Sequence, residues 1–110
     1  MSTAGVFAQS DAILFARVQA GDEKVMGLLY DLYSSVVYSI ALAVVSSTDN
    51  AEDVLHETFM QLWREPTSFA LRDGSLKASL ATSTFRRAVQ VRDKYQAAAF
   101  TASKNKEETL

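Results

Sequence analysis

Glu52, Asp53, His56 and Glu57 lie within six positions and have the side-chain types needed for acid–base or metal chemistry. A carboxylate beside an imidazole can pass a proton, and carboxylates one turn apart can hold a cation. Asp53 and Glu57 stand at i and i+4, so a helix would place them on one face. Bundle metal centres, however, draw ligands from several helices, and no second Glu-x-x-His motif completes such a set. His56 is the only histidine and cysteine is absent, which excludes disulfides, thiolate metal sites and cysteine nucleophiles. The cluster is therefore read as a solvated or protein-docking face, with no metal, no cofactor and no enzymatic activity.

A second group is Ser79, Thr82, Ser83 and Thr84, four hydroxyls within six residues, followed by Arg86 and Arg87. No histidine is placed to activate a serine nucleophile, and no glycine-rich phosphate loop occurs. Hydroxyls lower helix propensity. The run is either one wet side of a marginal helix or, with the arginines, a surface for DNA backbone and base edges. Trp63 and Phe59 are read as an i,i+4 aromatic pair in the core. Phe69 follows Pro66 in a polar stretch, where a large ring either plugs the end of the fold or awaits a partner.

The elements that would carry these residues are helical. One proline and four glycines in 110 residues permit long helices, and strand-like alternation is weak. Ser10 or Asp11 is expected to cap a first helix to Ala20, ended by Gly21. Asp22 caps a second, apolar at intervals of three and four from Met26 to Val44, which the Ser46–Asn50 cluster stops. Thr48 or Asp49 opens a third, closed by Pro66. A loop from Glu65 to Gly74 leads to a fourth helix capped by Ser75, with Leu76, Leu80, Phe85, Ala88 and Val89 inward. The fold class expected is all-α, a small three- to four-helix bundle over residues 1–95. Residues 96–110 read as a flexible tail or the start of an interdomain linker.

Charge divides along the chain. Residues 1–65 hold three basic side chains against nine acids, a net of −6, and residues 66–110 hold eight against four, a net of +4. Such asymmetry suits a module with an acidic side for a basic protein and a basic side for phosphate. The N-terminus lacks a basic start followed by an apolar core, and the run Val36–Val45 is about half the length of a bilayer crossing. The expectation is a cytoplasmic protein without a membrane partner.

With those residues in view, the stretch from Leu28 to Arg92 resembles region 2 of the extracytoplasmic-function (ECF) sigma factors of bacterial RNA polymerase. The likeness is carried by Leu29-Tyr30-Asp31-Leu32-Tyr33, by Val36-Val37-Tyr38 with Ala41-Leu42, and most specifically by the run from Asp49 through Glu52, Asp53, Glu57, Phe59, Gln61 and Trp63 to Arg64. Ser68-Phe69 and Asp73 to Ala78 match the loop and the opening of the family's DNA-facing helix. The resemblance implies a transcription initiation factor domain that docks on the clamp-helix coiled coil of the RNA polymerase core and recognises and melts the promoter −10 element. It implies that Asp53, Glu57 and Gln61 contact the polymerase. Phe69, Arg72, Lys77, Thr82, Arg86, Arg87 and Gln90 would contact the non-template strand, and an anti-sigma factor would be a further partner.

The sequence departs from the family at Ser79, where a tryptophan is usual, at Arg86, where an asparagine is usual, and at Gln90, where an aspartate is usual. Family members also continue into a second helical domain, so a fragment is the expectation here. The alternative reading is a degenerate sigma-like interaction module, an anti-sigma partner or decoy, without promoter-specific DNA binding.

Overall fold

The computed structural model describes residues 3–69 and 75–108. They form four helices, α1 (Thr3–Gln19), α2 (Glu23–Val45), α3 (Thr48–Arg64) and α4 (Leu76–Glu108), with a 3-10 turn at Pro66–Ser68 between α3 and α4. No strand is present among the elements of the described residues. The all-α bundle is the one that the apolar spacing predicts.

The joints follow from local chemistry. Gly21 takes φ +84°, a left-handed conformation that costs a glycine little. The Asp22 carboxylate then accepts hydrogen bonds from the Lys24 and Val25 amides at 3.1 and 3.2 Å, capping α2. α2 ends at Ser46, a non-glycine residue at φ 59°, whose amide donates to the Leu42 carbonyl at 2.9 Å. Ser47, rather than Thr48 or Asp49, caps α3 by accepting from the Asn50 amide at 3.3 Å. That hydroxyl pairs one of the four amides that a helix N-terminus leaves open.

α2 is the central helix, packed by both α3 and α4. Val25, Leu29 and Val37 of α2 join Phe59 and Leu62 of α3, Phe69, and Leu76 and Leu80 of α4 in one buried cluster. A second cluster joins Ala41, Ala51, Val54 and Ala88, where small side chains let the helices approach. Burying each larger aliphatic side chain contributes about 1.5–3 kcal/mol. As a whole helix α2, unlike its run Val36–Val45 alone, is long and apolar enough by length and composition to cross a bilayer; in this fold it is the bundle's axis.

Four expectations are corrected. α1 begins at Thr3, seven or eight residues before Ser10 or Asp11, because nothing in the intervening stretch interrupts a helix. α4 continues through the stretch expected as a frayed tail and ends at Glu108; the alanines around position 98 are the best helix formers available. Phe85 is 56% exposed, and Thr84 occupies the inward position instead. The buried stripe runs Leu76, Leu80, Thr84, Ala88 at strict four-residue steps, which turns Phe85 about 100° away. Finally, Phe59 meets Tyr30 edge-on at 5.1 Å between ring centroids, across α2 and α3 rather than along α3 with Trp63.

Candidate functional site

α3 carries two different polar surfaces. Along its outer edge Glu52, Asp53, His56 and Glu57 are all exposed. Glu57 has one ionic neighbour, Arg64, at 3.6 Å with both side chains more than half exposed, a geometry worth little in stability. Among the described residues no three His, Asp or Glu side chains gather closely enough to hold a metal ion. Beside this edge an apolar cleft of about 350 Å³ opens between α2 and α3, with Met26, Tyr30, His56, Phe59, Met60 and Trp63 on its walls.

At its C-terminal end α3 turns polar toward α4. Gln61 is half-buried; its Oε1 accepts from Arg87 Nη2, and its Nε2 donates to Ser68 Oγ at 3.1 Å. Ser68 Oγ in turn donates to the Glu65 carbonyl at 2.7 Å, inside the turn that Pro66 begins. A chain of bonds thus runs from α4 through α3 to the connecting turn. The resemblance places Gln61 and Arg87 on separate surfaces, but the structure binds them to each other. Arg87 Nε is buried without an acceptor among the described residues, so this side chain is committed to the fold.

Around that chain lies a pocket of about 260 Å³, bounded by Gln61, Ser68, Phe69, Ser79, Thr82 and Arg86 together with Ser83. It unites Phe69, Thr82 and Arg86, three of the residues expected to meet DNA, with Gln61, expected to meet protein. Phe69 takes the plugging alternative: 5% exposed, it is part of the core cluster and lines the pocket from there, not as a free ring awaiting a partner. The hydroxyls are back-bonded to their own helix, Thr82 to the Ala78 carbonyl at 3.0 Å, Ser79 to Ser75 at 3.3 Å and Thr84 to Leu80 at 2.6 Å. That pairing is how Ser79 and Thr84 tolerate burial.

Thr82, Arg86 and Gln90 follow at four-residue spacing and share one side of α4, where Arg86 and Gln90 are exposed. Lys77 is exposed too, but nine residues before Arg86 puts it about half a turn around the helix. Arg72 lies outside the described residues.

One contact escapes any local reading. Asp11, on α1, accepts from the Leu76 amide at 2.9 Å and so caps the first turn of α4 from 65 positions away. Its other oxygen receives the Tyr33 hydroxyl at 3.4 Å. Burial raises the Tyr33 pKa above its ordinary 10.0, and the nearby Asp11 charge and this hydrogen bond raise it further. Ser75, the expected cap, also serves, accepting from the Ala78 amide at 3.2 Å.

No solved structure matches this chain. Among curated proteins, the ECF RNA polymerase sigma factor SigK of Mycobacterium tuberculosis (strain ATCC 25618 / H37Rv) is 34% identical over 79 residues, covering 72% of this chain and 42% of the relative. The ECF RNA polymerase sigma factor BldN of Streptomyces coelicolor is 36% identical over 69 residues, covering 63% of this chain and 26% of the relative. The chain thus spans less than half the length of these curated relatives. The model of sigma-70 region 2 matches residues 29–98, which take in most of α2, all of α3 and the first two thirds of α4. With its helical bundle, its acidic α3 edge and the polar pocket at the α3–α4 junction, the chain belongs to the sigma-70 region 2 family of transcription initiation factors, whose domains are not enzymes.

Proposed function

We propose that this domain docks on the clamp-helix coiled coil of the RNA polymerase core through the α3 edge at Asp53 and Glu57, and captures a base of the −10 non-template strand in the pocket between α3 and α4. The observation that carries the reading is the pocket itself, which gathers polar groups from α3, the connecting turn and α4 around a space for a single base. A flipped base must recover the few kcal/mol lost in unstacking, and a polar, partly enclosed wall is suited to that. Arg86, exposed at the pocket, supplies positive charge for the strand, while Lys77 lies on the other side of α4. Asp53 and Glu57, both exposed and Glu57 holding only the loose contact with Arg64, supply the charge that orients a basic coiled coil. Gln61 serves the pocket in this reading, held there by Arg87 and Ser68. The cytoplasm is the compartment this activity requires, and an anti-sigma factor that covers the α3 edge would be its regulator.

The test is a charge reversal. Asp53→Lys with Glu57→Lys is expected to abolish binding to a clamp-helix coiled-coil peptide, measured by calorimetry, while leaving the circular dichroism spectrum and single-stranded DNA binding unchanged. Unaltered peptide binding in the double variant rejects the docking surface. A second reading, an interaction module without promoter specificity, draws on the internal commitment of Arg87. Promoter-specific initiation by the natural full-length protein would reject it.

A further inference from the structure

Resting on that reading, we infer that Phe85 is a second contact for the separated strand, a platform on which an unstacked base lies, outside the pocket between α3 and α4. The usual order of side chains is reversed here. At neighbouring positions of α4 the smaller, polar Thr84 is fully buried, while the Phe85 ring is 56% exposed and belongs to neither buried cluster. An aromatic ring on the outside of a helix lowers helix propensity and forgoes the gain of burial. A local conflict of this kind, with no return in the fold, points to a ligand.

The surroundings say which ligand. From Leu76 to Arg92 the chain carries Lys77, Arg86, Arg87 and Arg92 and no acid. Arg87 is turned to Gln61, and the other three are exposed. Phe85 stands between Arg86, its neighbour, and Lys77 on the far side of α4. Lys77 lies about 12 Å along the helix axis in one direction and Arg92 about 10 Å in the other, each within a quarter-turn of Phe85. Arg92 also pairs with Asp93 at 3.3 Å, which leaves Lys77 and Arg86 as the stronger charges. Half-buried Ala81 and Val89, one turn before and one turn after, flank the ring with apolar surface. A flat apolar face with positive charge around it matches a single strand, whose bases offer their own flat faces and whose phosphates recur along its length. A duplex keeps those faces stacked inside and offers only its phosphates to such a surface.

The experiment uses the whole 110-residue chain, a labelled oligothymidylate strand and the same strand annealed to its complement, with fluorescence anisotropy read across a salt series. Phe85→Ala is expected to weaken single-strand binding about tenfold, leaving duplex binding, the salt slope and the thermal midpoint unchanged. Phe85→Leu, which keeps an apolar side chain without a ring, loses as much. Phe85→Trp keeps the affinity, and its emission above the Trp63 background is quenched as the strand binds. Arg86→Ala, by contrast, lowers the salt slope by about one. If Phe85→Ala or Phe85→Leu binds the strand as the wild type does, or the Phe85→Trp emission is not quenched, the inference falls while the pocket reading stands. If the wild-type protein sediments as a dimer that Phe85→Ala dissociates with strand binding intact, the ring is an interface between copies, and the inference falls in the same way. Failure of the wild-type protein to bind any strand overturns the DNA half of the proposed function, and this inference with it.

Discussion

Asp53 and Glu57 stand in solvent on α3 with one loose ionic neighbour between them, whereas Gln61, a turn further along the same helix, is bound at both ends of its amide. The first region holds charges whose removal the fold would scarcely notice. The second is a set of bonds in which α3, the turn after it and α4 hold one another in place. The difference suits two kinds of recognition. A surface that orients a large charged partner works at a distance through exposed charge and gains on-rate and alignment from it. A pocket that discriminates among bases needs groups fixed before the ligand arrives, because ordering them on binding would consume the affinity gained.

That contrast breaks most visibly at Phe69, the apolar side of the pocket. Phe69→Ala removes a ring from the buried cluster that also holds Leu62, Leu76 and Leu80 and is expected to cost about 3 kcal/mol in urea unfolding. A loss below about 1 kcal/mol would mean that the pocket wall is not part of the core. Asp11→Ala comes next, at about 1–2 kcal/mol in thermal unfolding, since it strips a partner from the Leu76 amide. Asp11→Asn, which keeps an acceptor oxygen, should lose less.

The Tyr33 partner of Asp11 adds a pH signature. Its pKa is raised in the folded state above the ordinary 10.0, so the unfolded chain gives up that proton first as alkali is added. The stability it contributes is complete below pH 10 and declines as the pH rises through the folded value. Tyr33→Phe should unfold in alkali without this component of the decline, and an unchanged alkaline profile would remove the Asp11–Tyr33 pairing from the account. The smallest effect belongs to the exposed edge: Arg64→Ala should change stability by about 0.5 kcal/mol or less. A much larger loss would show that the edge is built into the fold after all.

Much of this was readable along the chain. Asp22 as a cap, Gly21 as a left-handed joint, the Ser46–Asn50 stop and the break at Pro66 are each decided by a few neighbouring residues, and each stands in the structure where spacing puts it. The exposure of Asp53 and Glu57 was legible for the same reason, since helical phase alone separates them from Val54, Thr58 and Leu62. Residue type, not phase, misled at Phe85. By type an apolar ring belongs inside, yet Thr84 holds the inward position because its hydroxyl can be satisfied by the Leu80 carbonyl of its own helix, and a step of four keeps it in line with Leu80 and Ala88.

What the amino-acid order determined by itself was local: the helices, where the first three stop, and which acids face outward, because caps, breakers and 3.6-residue phase act over a few positions. The packing of α1 and α3 against α4 decided the rest. It set Gln61 against Arg87, aligned Ser79, Thr82 and Arg86 around one pocket and brought Asp11 to the start of a helix 65 residues away. Those pairings arise from how three apolar stripes settle against α2, and the distances between such partners exist only once the bundle has packed.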